Sequence, residues 1–190
     1  MNGTDRSRSY RQLFPDPPVG KSILDVGCNL GFYSLMALRE GAKYCRAIDG
    51  DRACTDKLIQ VAADLRLDNI DVVHSNVFEY AVDKDFDIVL CLNLVHHFET
   101  IERVQKILDM LYQHVREQMI LIVLAPDDRT VRFTRDKEPN EPGGVRFIRI
   151  SPCYFVDKYG EAHVRVMPAV TYGPDRYTVV VTKPKPTEGI

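Results

Sequence analysis

Apolar residues fall into short runs that alternate with stretches of helical period. Phe86-Asp87-Ile88-Val89-Leu90-Cys91-Leu92-Asn93 and Met119–Ala125 are nearly all apolar, as strands covered on both faces are. Ile23–Val26 reads the same way over a shorter length. Tyr44–Asp49 carries Ala47 and Ile48 in its buried half, and Asp71–Ser75 is a third strand of this kind. Between these runs the period changes to that of a helix. Phe32–Arg39 carries apolar residues at Phe32, Leu35, Met36 and Leu38, with Gly41 as its stop. Arg52–Leu67 carries a stripe of Leu58, Ile59, Ala62 and Leu65 behind a capping Asp51. Thr100–Val115 does the same with Ile101, Val104, Ile107, Leu108, Leu111 and Val115. Glu79–Lys84 reads as a short helix or a loop. Strands alternating with helices predict right-handed crossovers and a parallel sheet, the doubly wound α/β class.

The pattern changes at both ends. Asp127–Ile150 has no clear period and is punctuated by Pro139, Asn140, Pro142, Gly143 and Gly144. Ser151-Pro152 opens a short helix, with Ser151 as its cap and a proline at its first position, and Gly160 closes it. Ala162–Val170 and Arg176–Lys183 flank a turn at 171–175 and predict an antiparallel hairpin, so the sheet is expected to have seven strands and to be mostly parallel. The tail from Pro184 reads as loose. Residues 1–21 are a polar extension with Arg6, Arg8 and Arg11, in which a short helix around Tyr10–Leu13 over a ligand site and a frayed terminus are both open.

Composition narrows the class without naming it. The 190 residues fit one domain, 1–190, with a substantial core. A net charge of −2 gives no global basic signature, which counts against a large nucleic-acid footprint. Five scattered cysteines without a C-x-x-C pair fit a reduced, cytoplasmic protein. Residues 1–8 hold no apolar run of the signal-peptide kind, and no segment approaches a membrane span.

The chemistry concentrates where the first strand meets its helix. In Ser22-Ile23-Leu24-Asp25-Val26-Gly27-Cys28-Asn29-Leu30-Gly31-Phe32-Tyr33-Ser34 the dinucleotide pattern G-x-G-x-x-G is broken by Asn29 and Phe32. The pattern D-x-G-x-x-x-G, with Asp49 ending the next strand, resembles motif I of the class I S-adenosylmethionine (SAM) methyltransferases. The C-terminal hairpin agrees with that family's last two strands. The resemblance extends over about 22–183. It implies that Asp25, Gly27, Asn29 and Gly31 receive the methionine part of SAM, and that Asp49, followed by Gly50, receives the ribose hydroxyls. Asn76 stands where the family often has an acid on the adenine amino group, with Val77 beside it. An Asn carbonyl can take that hydrogen bond. Phe78 flanks the adenine ring or belongs to the core. Gly20–Ser34, with Gly41-Ala42 following, is locally similar to the tRNA wobble-uridine carboxymethyltransferases and their small-molecule relatives.

Leu92-Asn93-Leu94-Val95-His96-His97-Phe98 matches the family's motif IV, which faces the sulfonium and the acceptor. Asn93 is expected at the cofactor, and His96 or His97 as a base, since imidazole titrates near neutrality. In extended backbone the two rings point opposite ways, and His96 is the one expected to face the site. A metal site at His96, His97 and Glu99 is disfavoured, because no fourth ligand is evident. Asp127–Ile150 holds Arg129, Arg132, Arg135, Lys137, Arg146 and Arg149, either as a solvated charged loop or as a lid offering arginines to an anionic acceptor. The expectation is a SAM-dependent methyltransferase acting on O or N of a small molecule, an anionic one if those arginines face it. An RNA (tRNA) methyltransferase and a non-catalytic SAM-binding regulator are the alternatives.

Overall fold

A computed structural model describes residues 6–126, 132–135, 147–170 and 173–184. The chain runs α1 (Ser7–Leu13), β1 (Ser22–Val26), α2 (Phe32–Arg39), β2 (Tyr44–Asp49), α3 (Arg52–Asp64), β3 (Ile70–His74), β4 (Phe86–Leu92), α4 (Ile101–Gln113) and β5 (Val115–Leu124). It continues through β6 (Phe133–Arg135), β7 (Ile148–Ile150), α5 (Pro152–Tyr159), β8 (Val164–Pro168) and β9 (Arg176–Thr182). Seven strands form one sheet in the order β3-β2-β1-β4-β5-β9-β8. The first five are parallel, and β9 runs antiparallel to both of its neighbours. The mostly parallel sheet with its terminal hairpin is therefore as expected. The order reverses between β1 and β4, which opens a crevice at the carboxyl ends of the strands.

The period of two sorts the strand residues onto two faces. Leu24, Val26, Val89, Cys91, Met119, Leu121, Val123, Val179 and Val181 pack under Val104, Ile107, Leu108 and Leu111 of α4 and Tyr154 and Phe155 of α5. Ile23, Ile88, Leu90, Ile120, Ile122 and Val180 face the opposite layer, with Tyr10 and Leu13 of α1 and Ala37 and Leu38 of α2. Covering by both layers is why these strands are apolar at every position. Of the two readings for the N-terminus, the helix is the one found: Tyr10, Leu13 and Phe14 are buried.

Several boundaries shift for local reasons. α3 stops at Asp64, short of Leu67, because Arg66 takes a left-handed φ of 55°. The N–H groups of Arg66 and Leu67 then close on the carbonyls of Ala63 and Ala62. β5 begins at Val115, four residues before the predicted Met119. Its polar start is held by ion pairs of Arg116 with Asp87 and of Glu117 with Lys21, which no apolar pattern announces. Residues 79–84 form a loop. Ser151 makes no side-chain capping hydrogen bond, so Pro152 alone marks that helix start.

Gly31 precedes α2 with φ 74°, and a Cβ there would lie 2.4 Å from a methyl of buried Leu58. Gly31→Ala is expected to lose about 2–5 kcal/mol of stability, from the left-handed backbone and the overpacking together. A urea midpoint close to that of the native protein would contradict this.

Candidate active site

Two adjoining cavities occupy the crevice. The first, of about 260 Å³, is lined by Arg6, Asp25, Gly27, Cys28, Asn29, Tyr33, Asp49, Leu92, Asn93, Leu94 and His97. The second, of about 350 Å³, is lined by Gly27, Ile48, Asp49, Gly50, Ser75, Asn76, Val77, Phe78, Leu94 and Phe98. Gly27, Asp49 and Leu94 line both. The β1–α2 turn builds their shared wall. The N–H groups of Gly27 and Cys28 both close on the carbonyl of Ile48, at 2.8 and 3.0 Å. Gly27 has φ 74°, and a Cβ there would come within 3.1 Å of Leu94. Only a glycine leaves this wall open.

Asp49 is locked by its neighbours. One carboxylate oxygen accepts from the N–H of Asn29 at 2.7 Å and the other from the N–H of Asp51 at 2.9 Å. A carboxylate offers about four lone-pair sites, so two remain for a pair of hydroxyls. Asn29 holds a left-handed φ of 51° and caps its own turn by accepting from the N–H of Leu30.

Asp25 is 2 % exposed and accepts a 2.6 Å hydrogen bond from the Ser34 hydroxyl. Burial, with the Asp49 charge adding to it, pushes its carboxyl up to about 6 despite that bond. Among the described residues the neutral donors of Ser34 are its partners, and no positive group pairs with it. The cavity in front of it suits a cation.

Asn76 lines the second cavity, but its side-chain carbonyl already accepts from the N–H of Phe78 at 3.0 Å. One lone pair of that oxygen is thus committed to a turn. Phe78 unites the two roles left open for it: it lines this cavity and packs on Phe98 at 4.7 Å.

Gly31 lies outside both walls, and its contact is with Leu58 behind the turn. His96 and His97 also depart from expectation. Asn93 turns the chain with a φ of 56°, so Val95–His97 forms a 3-10 turn and not extended backbone. His97 lines the first cavity, whereas His96 is 2 % exposed beneath it with Nδ1 unpartnered. The preference for His96 is corrected accordingly. Burial, followed by the charges of His97, Arg176 and Arg149, lowers His96 to about 3. Burial and Arg176 also lower His97. Both rings are therefore neutral at pH 7.

Three neighbours of the site carried no local signal. Arg176, at the start of β9, donates to the side-chain oxygen of Asn93. Phe147 sets its ring edge-on to both histidines, about 5 Å away. Arg6 enters the first cavity from the residue before α1. Within the predicted 127–150 segment, Arg132 pairs with Asp157 and Arg149 with Asp175; Arg129, Lys137, Arg146 and the Arg135 side chain lie outside the described residues. Among the described residues no group of three His, Cys, Asp or Glu could hold a metal, and no helix is long and apolar enough to cross a membrane.

A reversal of strand order, an acid on each of two adjacent strands and a glycine-opened turn between them define a nucleoside-cofactor domain of the class I methyltransferase fold. Residues 23–118 match the family described as "Methyltransferase domain", and the chain belongs to that family, whose cofactor is SAM. It is 30% identical over 89 residues to an (S)-tetrahydroprotoberberine N-methyltransferase of Eschscholzia californica, covering 46% of this chain and 25% of that protein. The match spans between 16% and 40% of the length of the curated relatives. Among solved structures, the glycopeptide N-methyltransferase MtfA complexed with SAM superimposes with a TM-score of 0.68 at 13% identity, over 97% of this chain and 96% of that one. The 1,6-didemethyltoxoflavin-N1-methyltransferase of Burkholderia thailandensis, with S-adenosylhomocysteine and its substrate bound, does so at 0.72 and 16%, over 93% and 77%. MtfA is also known with sinefungin and S-adenosylhomocysteine. The residues present fit such a cofactor: Asp25 awaits a cation, and Asp49 keeps lone pairs for two hydroxyls.

Proposed function

We propose that the protein transfers a methyl group from SAM to O or N of a small-molecule acceptor. The carrying observation is His97 in the wall of the cavity that also holds Asp25 and Asp49. SAM supplies an electrophilic methyl on a sulfonium. Asp25 balances the positive charge of the methionine end, and Asp49 accepts from the ribose hydroxyls. Val77, Gly50 and Phe78 form the adenine wall, with Asn76 accepting from the adenine amino group through its remaining lone pair. Leu92, Leu94 and Asn93 narrow the approach to the methyl, so that alignment contributes to rate. His97 takes the proton released by the acceptor.

The small-molecule reading is supported by the names of the plant alkaloid and toxoflavin enzymes, which act on the nitrogen of small compounds. The likeness of 20–34 to the wobble-uridine enzymes is confined to the cofactor turn, so it bears on SAM more than on the acceptor.

Calorimetric titration with SAM and with NAD tests the reading at its base. SAM is expected to bind and NAD is not. Asp49→Ala should weaken SAM by about 10- to 100-fold, since hydrogen bonds to a charged group contribute roughly 1.5–3 kcal/mol. Equal affinity in the variant would remove Asp49 from the ribose. A screen of phenol, carboxylate and amine acceptors for S-adenosylhomocysteine release then identifies the acceptor class.

A further inference from the structure

The first cavity has one cationic side chain of Lys or Arg type in its wall, Arg6, against two carboxylates, Asp25 and Asp49. The guanidinium of Arg6 has no hydrogen bond or ion pair among the described residues. The helix it precedes is firmly docked. Ser9, Tyr10 and Leu13 are buried, and the Tyr33 hydroxyl is 3.0 Å from the Ser9 hydroxyl. Tyr33 lines the same cavity. On the other side Gln12 donates to the carbonyl of Pro168 at 2.7 Å and accepts from the N–H of Val170 at 3.2 Å. Arg6 is therefore presented to the cavity by an element tied to both α2 and the C-terminal hairpin.

An amino-acid group carries one ammonium and one carboxylate about two bonds apart. A site for it needs one acceptor of charge and one donor. Asp25 is the buried acceptor, and Asp49 is already bonded to two backbone N–H groups facing the neighbouring cavity. The lining also offers neutral donors in Asn29, Asn93, Tyr33 and His97, but its one guanidinium is Arg6, whose planar fork matches a carboxylate with two parallel charge-assisted bonds.

We propose that Arg6 binds the α-carboxylate of the cofactor's methionine end, opposite Asp25, so that the N-terminal helix completes the cofactor site. This inference rests on the SAM reading above. It makes α1 a functional element, and it separates the cofactor's carboxylate from an anionic group on the acceptor as the partner of Arg6.

The test compares SAM with decarboxylated SAM by calorimetry, on the full chain and on Arg6→Ala and Arg6→Lys. The native protein is expected to prefer SAM by about 10- to 100-fold, the range for a charged hydrogen-bonded pair. Arg6→Ala should erase that preference while leaving decarboxylated SAM unaffected, and Arg6→Lys should restore part of it. The thermal midpoint of each variant reports whether α1 stays docked. An undiminished preference in Arg6→Ala would overturn the assignment and leave an acceptor anion as its partner. Equal weakening of both ligands would overturn it as well, since Arg6 would then act only through the placement of α1. A native protein that binds neither ligand brings down the cofactor reading itself, and this inference with it.

Discussion

Replacing His97 by alanine is expected to slow methyl transfer by about 10²–10⁴-fold, the usual contribution of a general base. S-adenosylhomocysteine affinity should stay nearly unchanged. The ring lines the cavity that holds the cofactor acids, and it must be neutral to accept a proton. Burial and the nearby Arg176 charge hold it so. The other groups around it are Arg6 from α1, Asp25 from β1, Asp49 from β2, the neutral His96 on the same turn and the uncharged Phe147 ring. The rate should fall on acidification only below the ordinary histidine range. Arg176→Gln should move that limb to higher pH, because it removes the positive charge that disfavours imidazolium. A carbon-13 histidine titration by NMR reads the same shift without any acceptor. His96→Ala should instead cost stability, by about 0.5–3 kcal/mol for a buried ring removed, with a smaller effect on turnover. The folded value for His96 lies below the unfolded one. Its neutral burial therefore favours the fold above about pH 6.5, and that contribution is lost as pH falls toward 3. Full activity in His97→Ala would take the base out of the mechanism and leave alignment as the source of rate.

Asp25→Asn is expected to raise the thermal midpoint at pH 7.5 while nearly abolishing SAM binding. The carboxyl titrates near 6 in the fold against about 3.8 when free, so the folded state holds its proton more tightly. Stability attributable to this group is then lost as pH rises from about 4 to 6, and the full cost is present at neutrality. Two pH units correspond to about 3 kcal/mol at most. An unpaired amide N–H in the variant offsets part of that gain. A net rise of about 3–6 °C is expected at this chain length; it crosses zero as pH falls from 6 and turns into a small loss near pH 4, where only the amide cost remains. Native SAM affinity should fall below pH 6, where Asp25 becomes neutral, and binding at that pH should release a proton. Titration in buffers of different ionisation enthalpy measures that release. A variant that is less stable than the native protein at pH 7.5 would mean that the buried charge is better compensated than its surroundings indicate.

Much of this protein was legible along the chain because its signals are local. A strand covered on both faces must be apolar at nearly every position, so Phe86–Leu92 declared itself as one. A turn that must leave room for a ligand needs left-handed backbone, so Gly27 was readable, and so was Asp49 one strand on. Asp51 capped its helix as a short acid before an amphipathic run does. The histidines show where such reading stops. Alternation assumes extended backbone, and the left-handed turn at Asn93 replaced it with a 3-10 turn that turned His97 to the cavity and buried His96. Nothing in the order of residues joins Arg176 to Asn93, Phe147 to the histidines or Arg6 to Asp25. The first is made by the hairpin folding back beside β5, across more than 80 residues, the second by β7 packing on the Val95–His97 turn, and α1 docking against the sheet brings Arg6 into the cavity that Asp25 lines. Local periodicity specifies the elements and the glycine-opened turn; the charges and rings around His97 come from segments remote in sequence, and only packing brings them together.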